Sequence, residues 1–424
     1  MSTGKSLRIA WLGPAPGEDG GVAGVGTDLL SGLVKRGHRI DCFFPSAGQP
    51  LPVRLEEEES LKFIWGTNIW QWNRWYSRAK IAALVTGLFA RGLAFVRLRQ
   101  EIVRRHAQEP YDLIYQFSNI ETLAVPSSLG HDVPLVIHPE THMAGELRWL
   151  VAERRLALRS QARYVFVVVA AIMSARTLVQ RIKIRRASLL ICLSSVFRDH
   201  LVRDYGFPRD ATIVVANPVR PERFPNADRP IGSPPTVLVL GRVSARKGIE
   251  DVVSVARALL ERNVDVRLRV VGGPSLWSDY TKLLEDLPAE IAEYAGPIPP
   301  SEIPAELGRS DVLLQASKYE PFALTVAEAL AAGVPVVATT EVGAIEGVDG
   351  SVLTAVEPGD VAGMATAIAA LLDRVRTSPD ETRSKARAEA ERLFAPDVVC
   401  AQISAALEQL VDGPASGRRG HGPA

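Results

Sequence analysis

Two carboxylates eight residues apart, Glu320 and Glu328, flank the segment Pro-Phe-Ala-Leu-Thr-Val-Ala, and Gly333 and Pro335 follow ahead of an apolar run. Pro321 suits the first position of a helix, where its missing N–H costs nothing, and Gly333 with Pro335 stops that helix. The spacing predicts Glu320 at the helix mouth and Glu328 about two turns further along. The unpaired amides of Phe322, Ala323 and Leu324 would face an anion at the mouth, where the helix dipole favours one. Two acceptors flanking an anion site suit a ligand with hydroxyls on both sides of a phosphate, as a nucleotide-sugar has.

Cations stand in a second segment. The apolar run Val237 to Leu240 leads into Gly241-Arg242-Val-Ser-Ala-Arg246-Lys247-Gly248. This puts Arg242 and Lys247 on a loop at the C-terminal end of a strand, the edge where open α/β sheets bind ligands. Arg246 reads as an ordinary solvated loop cation. Near the N-terminus, Gly20-Gly21-Val-Ala-Gly24-Val-Gly26 precedes a helix, and glycines let backbone amides approach a phosphate or sugar. It is not a dinucleotide fingerprint, because Leu29 stands where the third glycine belongs. His138 ends the run Leu135 to His138 and is expected to point into a cleft between domains. His142 lies four residues on, but Pro139 argues against a continuous helix and no Asp-x-Asp is present, so no metal site is expected.

These residues need a scaffold. Short apolar runs at Leu7 to Leu12, Arg39 to Phe44, Leu113 to Gln116, Leu135 to His138, Leu189 to Leu193 and Thr212 to Val215 alternate with helical patterns, as in a doubly wound parallel sheet. A Pro-rich passage follows, and the alternation resumes with Val237 to Leu240, Val266 to Val271, Val312 to Gln315 and Pro335 to Ala338. The expected division is a first α/β domain over 1–217, a linker over 218–235, a second α/β domain over 236–395, a last helix over 396–412 and a disordered tail over 413–424.

Composition fits a soluble globular protein, with 47% hydrophobic and 23% charged residues in 424. Cys42, Cys192 and Cys400 are far apart and odd in number, which excludes a disulfide framework and suits a reducing cytoplasm. The N-terminal apolar run is too short for a signal-peptide core. No nucleic-acid partner is expected. Net charge is +1, yet residues 1–216 hold 28 Lys and Arg against 19 Asp and Glu, and the remainder 21 against 29. The excess sits in 74–105, eight basic residues against Glu101, and 148–186, ten against Glu153. Both segments carry apolar stretches, interrupted too often for about 20 uninterrupted apolar residues, and read as basic amphipathic helices. With Trp70, Trp72, Trp75 and Trp149 nearby, they suggest docking on an anionic membrane at its cytoplasmic face, or a basic rim for an acidic soluble acceptor.

Glu320-x7-Glu328 in the form Glu-Pro-Phe-Ala-Leu-Thr resembles the signature of retaining glycosyltransferases of the GT-B fold, particularly glycosyltransferase family 4, where Glu-Pro-Phe-Gly-Leu-Thr is common. The resemblance implies two Rossmann-like doubly wound domains facing each other across a cleft, with the last helix crossing back to the first domain. It implies that Glu320 binds donor-sugar hydroxyls, Glu328 the ribose, and Arg242 and Lys247 the diphosphate. Gly20 and Gly21 would line the donor site, Gly272 would approach the base, and His138 would lie near the sugar and the reacting carbon. The nucleotide-sugar is then a substrate, a hydroxyl-bearing molecule the acceptor, and no cofactor or metal is needed. The chain offers no evident covalent nucleophile, so retention implies front-face transfer, with a phosphate oxygen taking the acceptor's proton. Ala323 for Gly is a small change; Val342-Gly343-Ala-Ile-Glu346 departs further from the usual Gly-Gly-x-Pro-Glu. Alternatives are a sugar-nucleotide epimerase or phosphorylase of the same fold, or a non-catalytic nucleotide-sugar-binding partner.

Overall fold

Apolar runs too continuous to sit half in water become the interior strands of two parallel sheets. In the computed structural model, residues 5–18, 21–45, 51–66, 80–120, 125–126, 129, 132–160, 163–224, 234–274 and 280–413 are described, those at 80–91 by their backbone alone. The first sheet takes β1 (Arg8–Leu12), β2 (Arg39–Phe44), β3 (Leu61–Trp65), β4 (Leu113–Ser118), β5 (Leu135–Pro139), β6 (Leu189–Cys192) and β7 (Thr212–Val214). Their order is β3-β2-β1-β4-β5-β6-β7. The second takes β8 (Thr236–Leu240), β9 (Arg267–Val271), β10 (Ala292–Gly296), β11 (Val312–Gln315), β12 (Val336–Thr339) and β13 (Leu353–Val356), in the order β10-β9-β8-β11-β12-β13. Pairing is parallel throughout, so each connection must cross a sheet face and both faces are covered. This is the two-domain α/β architecture of the GT-B fold.

Three strands, β3, β10 and β13, were not legible in the sequence. All lie at sheet edges. An edge strand is covered on fewer sides and tolerates Lys62, Glu293 or Thr354, which break the apolar run that marks an interior strand.

Helices cover the sheets. In the first domain these are α1 (Val22–Lys35), α2 (Val53–Glu56), α3 (Lys80–Gln108), α4 (Met143–Ala152), α5 (Arg154–Ser160), α6 (Arg163–Lys183) and α7 (Ser195–Tyr205). In the second they are α8 (Ile249–Glu261), α9 (Ile303–Gly308), α10 (Leu324–Ala331), α11 (Val361–Thr377), α12 (Pro379–Phe394) and α13 (Pro396–Asp412). Val399, Cys400, Ile403 and Leu407 of α13 are buried in one apolar core with β1 and α1, and His38 Nε2 meets Ser404 Oγ at 2.7 Å. The last helix therefore does return to the first domain. The segment leading out of the first domain is strapped to α12: Val219 N donates to the Phe394 carbonyl at 2.8 Å, and the Arg387 guanidinium donates to the carbonyls of Pro221 and Phe224. Residues 225–233 of the linker and 414–424 of the tail lie outside the described residues.

The largest apolar core runs through both domains, joining Leu190, Cys192 and Phe197 of the first to Tyr319, Phe322 and Leu330 of the second. Burial on that scale makes the relation of the two domains a property of the fold, not of a loose hinge.

The helix carrying Glu328 starts later than the spacing predicts. Leu324, not Pro321, is its first residue, with Ala323 before it, and Glu328 is its fifth, little more than one turn in. Ala323 holds φ 79°, the left-handed region that a Cβ disfavours. The exchange of Gly for Ala is thus a strain on the backbone. Relief of about 1–2 kcal/mol of left-handed strain, offset by about 0.5–1 kcal/mol of extra unfolded-chain entropy, gives Ala323→Gly a net gain of about 0.5–1 kcal/mol. Equilibrium urea unfolding measures it, and a destabilised variant would contradict the strain.

Candidate active site

In the second sheet the strand order reverses between β8 and β11, so the loops leaving their C-terminal ends diverge and open a crevice. Those two loops, 241–248 and 316–323, hold Lys247 and Glu320. Backbone bonds tie them together: Lys318 N donates to the Arg246 carbonyl at 2.7 Å. A third loop joins from the end of β12. Glu320 N donates to the Glu341 carbonyl at 3.0 Å, Gly343 N to that of Glu320 at 3.1 Å and Ala344 N to that of Phe322 at 2.7 Å. The segment that departs most from the family pattern is therefore zipped along the Glu320 loop. Gly343 serves closeness here, since a Cβ would run into the Pro321 carbonyl and the Ser194 side chain.

Side-chain charges alternate along one buried chain. Arg246 Nε meets Glu146 Oε1 at 2.7 Å, its Nη1 meets Glu320 Oε2 at 2.5 Å, and Lys247 Nζ meets the same Glu320 oxygen at 2.6 Å. Burial alone would raise the Glu320 pKa, but Arg246 and Lys247 overcome it and hold the carboxyl at about 2. Burial lowers that of Lys247 against the pull of Glu320, while the two carboxylates hold Arg246 protonated despite its burial. Arg246, which reads as a bland loop cation in sequence, is thus the hub of the site. Glu146, 174 residues upstream of Glu320, gave no sequence signal.

A cavity of about 240 Å³ opens beside this chain, between α4 and α6 of the first domain and the 241–248 loop of the second. Trp149, Leu150, Val169, Ile172 and Met173 give it apolar walls, and Arg176, Arg242, Arg246, Lys247 and Glu146 bring charge. Arg242, exposed, stands at its rim. Arg242, Arg246 and Lys247 face Glu146 and the adjoining Glu320, so on this loop the cations outnumber the carboxylates.

The other expected residues divide. Glu328 is half-buried, and burial pushes its carboxyl up to about 7 against the opposing pull of Arg223. Leu324 opens α10, half-buried. Phe322 is in the core, edge-on to Phe394 at 5.6 Å, so its side chain is structural. Gly272 holds φ 151° where a Cβ would collide with the Gly241 carbonyl, so its small size serves the packing of two loops. Gly21, φ 74°, precedes α1; Gly24 and Gly26 lie inside that helix instead of in a loop before it; Gly20 falls outside the described residues. His138 does not line the cavity. It is fully buried behind β4, its Nδ1 2.7 Å from Tyr115 Oη and its ring edge-on to Phe117, and burial lowers its pKa to about 3.

His142 takes the interdomain place instead. At the start of α4, its Nδ1 lies 2.9 Å from Tyr319 Oη of the second domain and its Nε2 3.0 Å from Asp204 Oδ2. Further bridges join the domains: His200 Nε2 to Glu341 at 3.1 Å, Ser195 N and Oγ to Glu346 at 2.6 Å each, and Ser194 Oγ to the Pro321 carbonyl at 3.0 Å. His142, His200 and Asp204 gather closely enough to suggest a cation. Their chemistry opposes one. Arg148 pairs with both Asp204 oxygens, and guanidinium nitrogens of Arg148 and Arg203 lie 3.2 and 2.7 Å from His200 Nδ1.

Arg246→Ala would strand Glu146 and Glu320 without their shared counter-ion, and breaking a buried pair typically costs about 3–5 kcal/mol. Arg246→Lys keeps the charge but cannot fork to both carboxylates, so it is expected to recover only part. Urea unfolding of the two variants reads this directly; losses below about 1 kcal/mol, the range of a surface pair, would remove Arg246 from its central place.

Known proteins carry the same scaffold. The family model described as Glycosyltransferase Family 4 matches residues 19–223, and the one described as Glycosyl transferases group 1 matches residues 234–374. A glycogen synthase of Mycobacterium tuberculosis is 29% identical over 214 residues, 50% of this chain and 50% of its own length. A GDP-mannose-dependent alpha-(1-6)-phosphatidylinositol monomannoside mannosyltransferase of Mycolicibacterium smegmatis is 32% identical over 185 residues, 42% of this chain and 46% of its own. The chain thus spans about half the length of these curated relatives. Among solved structures, sucrose-phosphate synthase from Thermosynechococcus elongatus superposes with a TM-score of 0.66 at 19% identity, covering 96% of this chain and 100% of its own. Anabaena HepE in complex with UDP and glucose gives 0.62 at 20% identity, covering 95% and 100%. Two family models, one on each domain, and a shared two-sheet scaffold lead to one conclusion: the chain belongs to the GT-B glycosyltransferases of family 4.

Proposed function

We propose that the chain transfers a sugar from a nucleoside diphosphate donor to a hydroxyl of an acceptor, with retention at the anomeric carbon. The observation that carries this reading is the surplus of cations, Arg242, Arg246 and Lys247 against Glu146 and Glu320, at the interdomain cavity, with Glu320 held ionised at about 2. A diphosphate matches the surplus, and sugar hydroxyls match the carboxylate. The names of relatives agree in kind: one is GDP-mannose-dependent, and one solved neighbour holds UDP and glucose.

In this reading Glu320 is the internal counter-ion of Lys247 and Arg246 before the donor arrives. The diphosphate then takes over the two cations, with Arg242 reaching in from the rim, and the Glu320 carboxylate is released to accept hydrogen bonds from the sugar. As the sugar–phosphate bond lengthens, charge grows on the phosphate, and cations already in position stabilise it without reorganisation. Glu146 stays tied to Arg246. With Glu146 held by Arg246 and Glu320 occupied by the sugar hydroxyls, neither carboxylate is left to attack the anomeric carbon, and front-face attack is favoured: the acceptor hydroxyl approaches on the side that the phosphate leaves, and a phosphate oxygen takes its proton. The cavity's apolar walls exclude water from that step.

Turnover is tested with a panel of uridine, guanosine, adenosine and thymidine diphosphate-sugars, following nucleotide release and reading the anomeric configuration of the product by proton NMR. An inverted product would rule out the front-face step, and no release from any donor would remove the transferase reading. Excess chelator is expected to leave the rate unchanged, because Arg246, Lys247 and Arg242 supply the charge a divalent ion would otherwise bring. Loss of activity restored only by a divalent cation would overturn that part.

The two carboxylates separate in binding. Glu320→Gln frees Arg246 and Lys247 of their counter-ion, so the variant is expected to bind free nucleoside diphosphate at least as tightly as wild type while turnover falls roughly a hundredfold. Glu328→Gln is expected to weaken that binding, chiefly above pH 7, where the wild-type carboxylate is ionised and can accept the ribose hydroxyls. The stability sign is opposite. A carboxyl raised to about 7 by burial disfavours the folded state as pH climbs from the ordinary carboxylate range through 7, so Glu328→Gln should be the more stable protein well above pH 7 and level with wild type well below it. Isothermal titration and urea unfolding across that range check both signs; matched pH profiles for variant and wild type would count against Glu328.

A further inference from the structure

Helix α6 has a face that none of the described residues covers. Tyr164, Val167, Val168, Leu178, Val179 and Ile182, spaced by threes and fours, are 37% to 73% exposed. Over Arg163–Arg186 the mean hydropathy reaches 1.7 with 11% of the best window buried. By length and composition the helix could cross a bilayer, contrary to the expectation from its interrupted apolar run. Its contacts argue otherwise. Val169, Ile172, Met173 and Arg176, on the opposite face, line the cavity, and the buried Gln180 Oε1 accepts from Met143 N at 3.1 Å and Tyr205 Oη at 2.5 Å. A helix fixed to its own domain along its length cannot also be wrapped by lipid.

A membrane surface satisfies both faces. Exposed Arg154, Arg155 and Arg163 stand at one end of α6 and Arg181 and Arg185 at the other, and Glu153, the acid of this stretch, is turned towards Lys318, Glu250 and Asp251 of the second domain. On α3, Leu93, Val96 and Val103 are exposed among Arg97, Arg99 and Arg104. Arg186, half-buried just beyond α6, feels the charge of Arg99 on α3. On α3, Glu101 pairs with Arg104 at 2.6 Å, so the charge of this surface lies chiefly at the two ends of α6, and apolar side chains framed by cations are the chemistry of a helix lying in an anionic lipid interface. Trp149 has no part in it, since it lines the cavity, and Trp70, Trp72 and Trp75 lie outside the described residues.

We infer that α6, with the exposed turns of α3, seats the first domain on an anionic lipid bilayer, helix axis in the membrane plane. The cavity then lies one helix thickness, about 10 Å, behind the lipid-facing side. This deepens the proposed reaction, on which it rests only in pointing to an acceptor held in the membrane.

The test uses the full chain without donor, so its failure is separable from failure of the transferase reading. Sedimentation with phosphatidylcholine vesicles, with and without phosphatidylglycerol, is compared at low and high salt, for wild type and for V168E/L178E, two outward residues away from the cavity lining. Wild type is expected to bind the anionic vesicles, at least about tenfold more weakly without phosphatidylglycerol or at high salt. V168E/L178E is expected to lose about tenfold or more while keeping wild-type thermal unfolding and nucleoside diphosphate binding. Equal sedimentation by variant and wild type, equal binding to neutral and anionic vesicles, or no binding at all would overturn the inference. So would a concentration-dependent dimer in ultracentrifugation that V168E/L178E abolishes, since the face would then belong to a second copy.

Discussion

One guanidinium joins the two halves of this molecule at the place where the proposed chemistry must occur. Arg246 reaches Glu146 on a helix of the first domain and Glu320 on a loop of the second, and Lys247 shares the Glu320 oxygen. Isolated in a buried setting, each of these charges would be costly; paired, they require the domains to stand as they do. Around that chain the other interdomain contacts fall into place: His142 on Tyr319, His200 on Glu341, Ser195 on Glu346 and Ser194 on the Pro321 carbonyl. The closed cleft is therefore held by polar contacts around the site, over a core that runs continuously from one domain to the other.

That arrangement gives the ligand-free site a defined electrostatic state. Glu320 is ionised, Arg246 and Lys247 are engaged, and Arg242 stands at the rim of a cavity with apolar walls. A diphosphate entering there competes with Glu320 for Lys247 and Arg246, so donor binding and freeing of the sugar-facing carboxylate become one event. Two carboxylates of one motif end with opposite environments: Glu320 is pulled down by cations, and Glu328, facing only the opposing pull of Arg223, is pushed up to about 7 by burial.

Helix α6 links this site to the outside. One face supplies the cavity wall and the other is an apolar strip framed by arginines. An element shared in this way couples what lies outside the first domain to the geometry of the acceptor side.

By itself the sequence determined the alternation of strands and helices, the two-domain division, the loops on which Glu320, Arg242 and Lys247 stand and the helix that carries Glu328, because interior parallel strands are unbroken apolar runs and loop residues follow them directly. It carried no sign of the edge strands β3, β10 and β13, whose mixed composition reflects partial cover, nor of Ala323's left-handed backbone, which depends on how α10 enters. It ranked His138 above His142, since a histidine at a strand end looks placed for a cleft; only the packing of Tyr115 and Phe117 turned it into the core. Arg246 and Glu146 were beyond it altogether. Their pairing exists only because a helix from one sheet meets a loop from the other, and no local pattern records a contact between residues a hundred positions apart that folding alone brings within 2.7 Å.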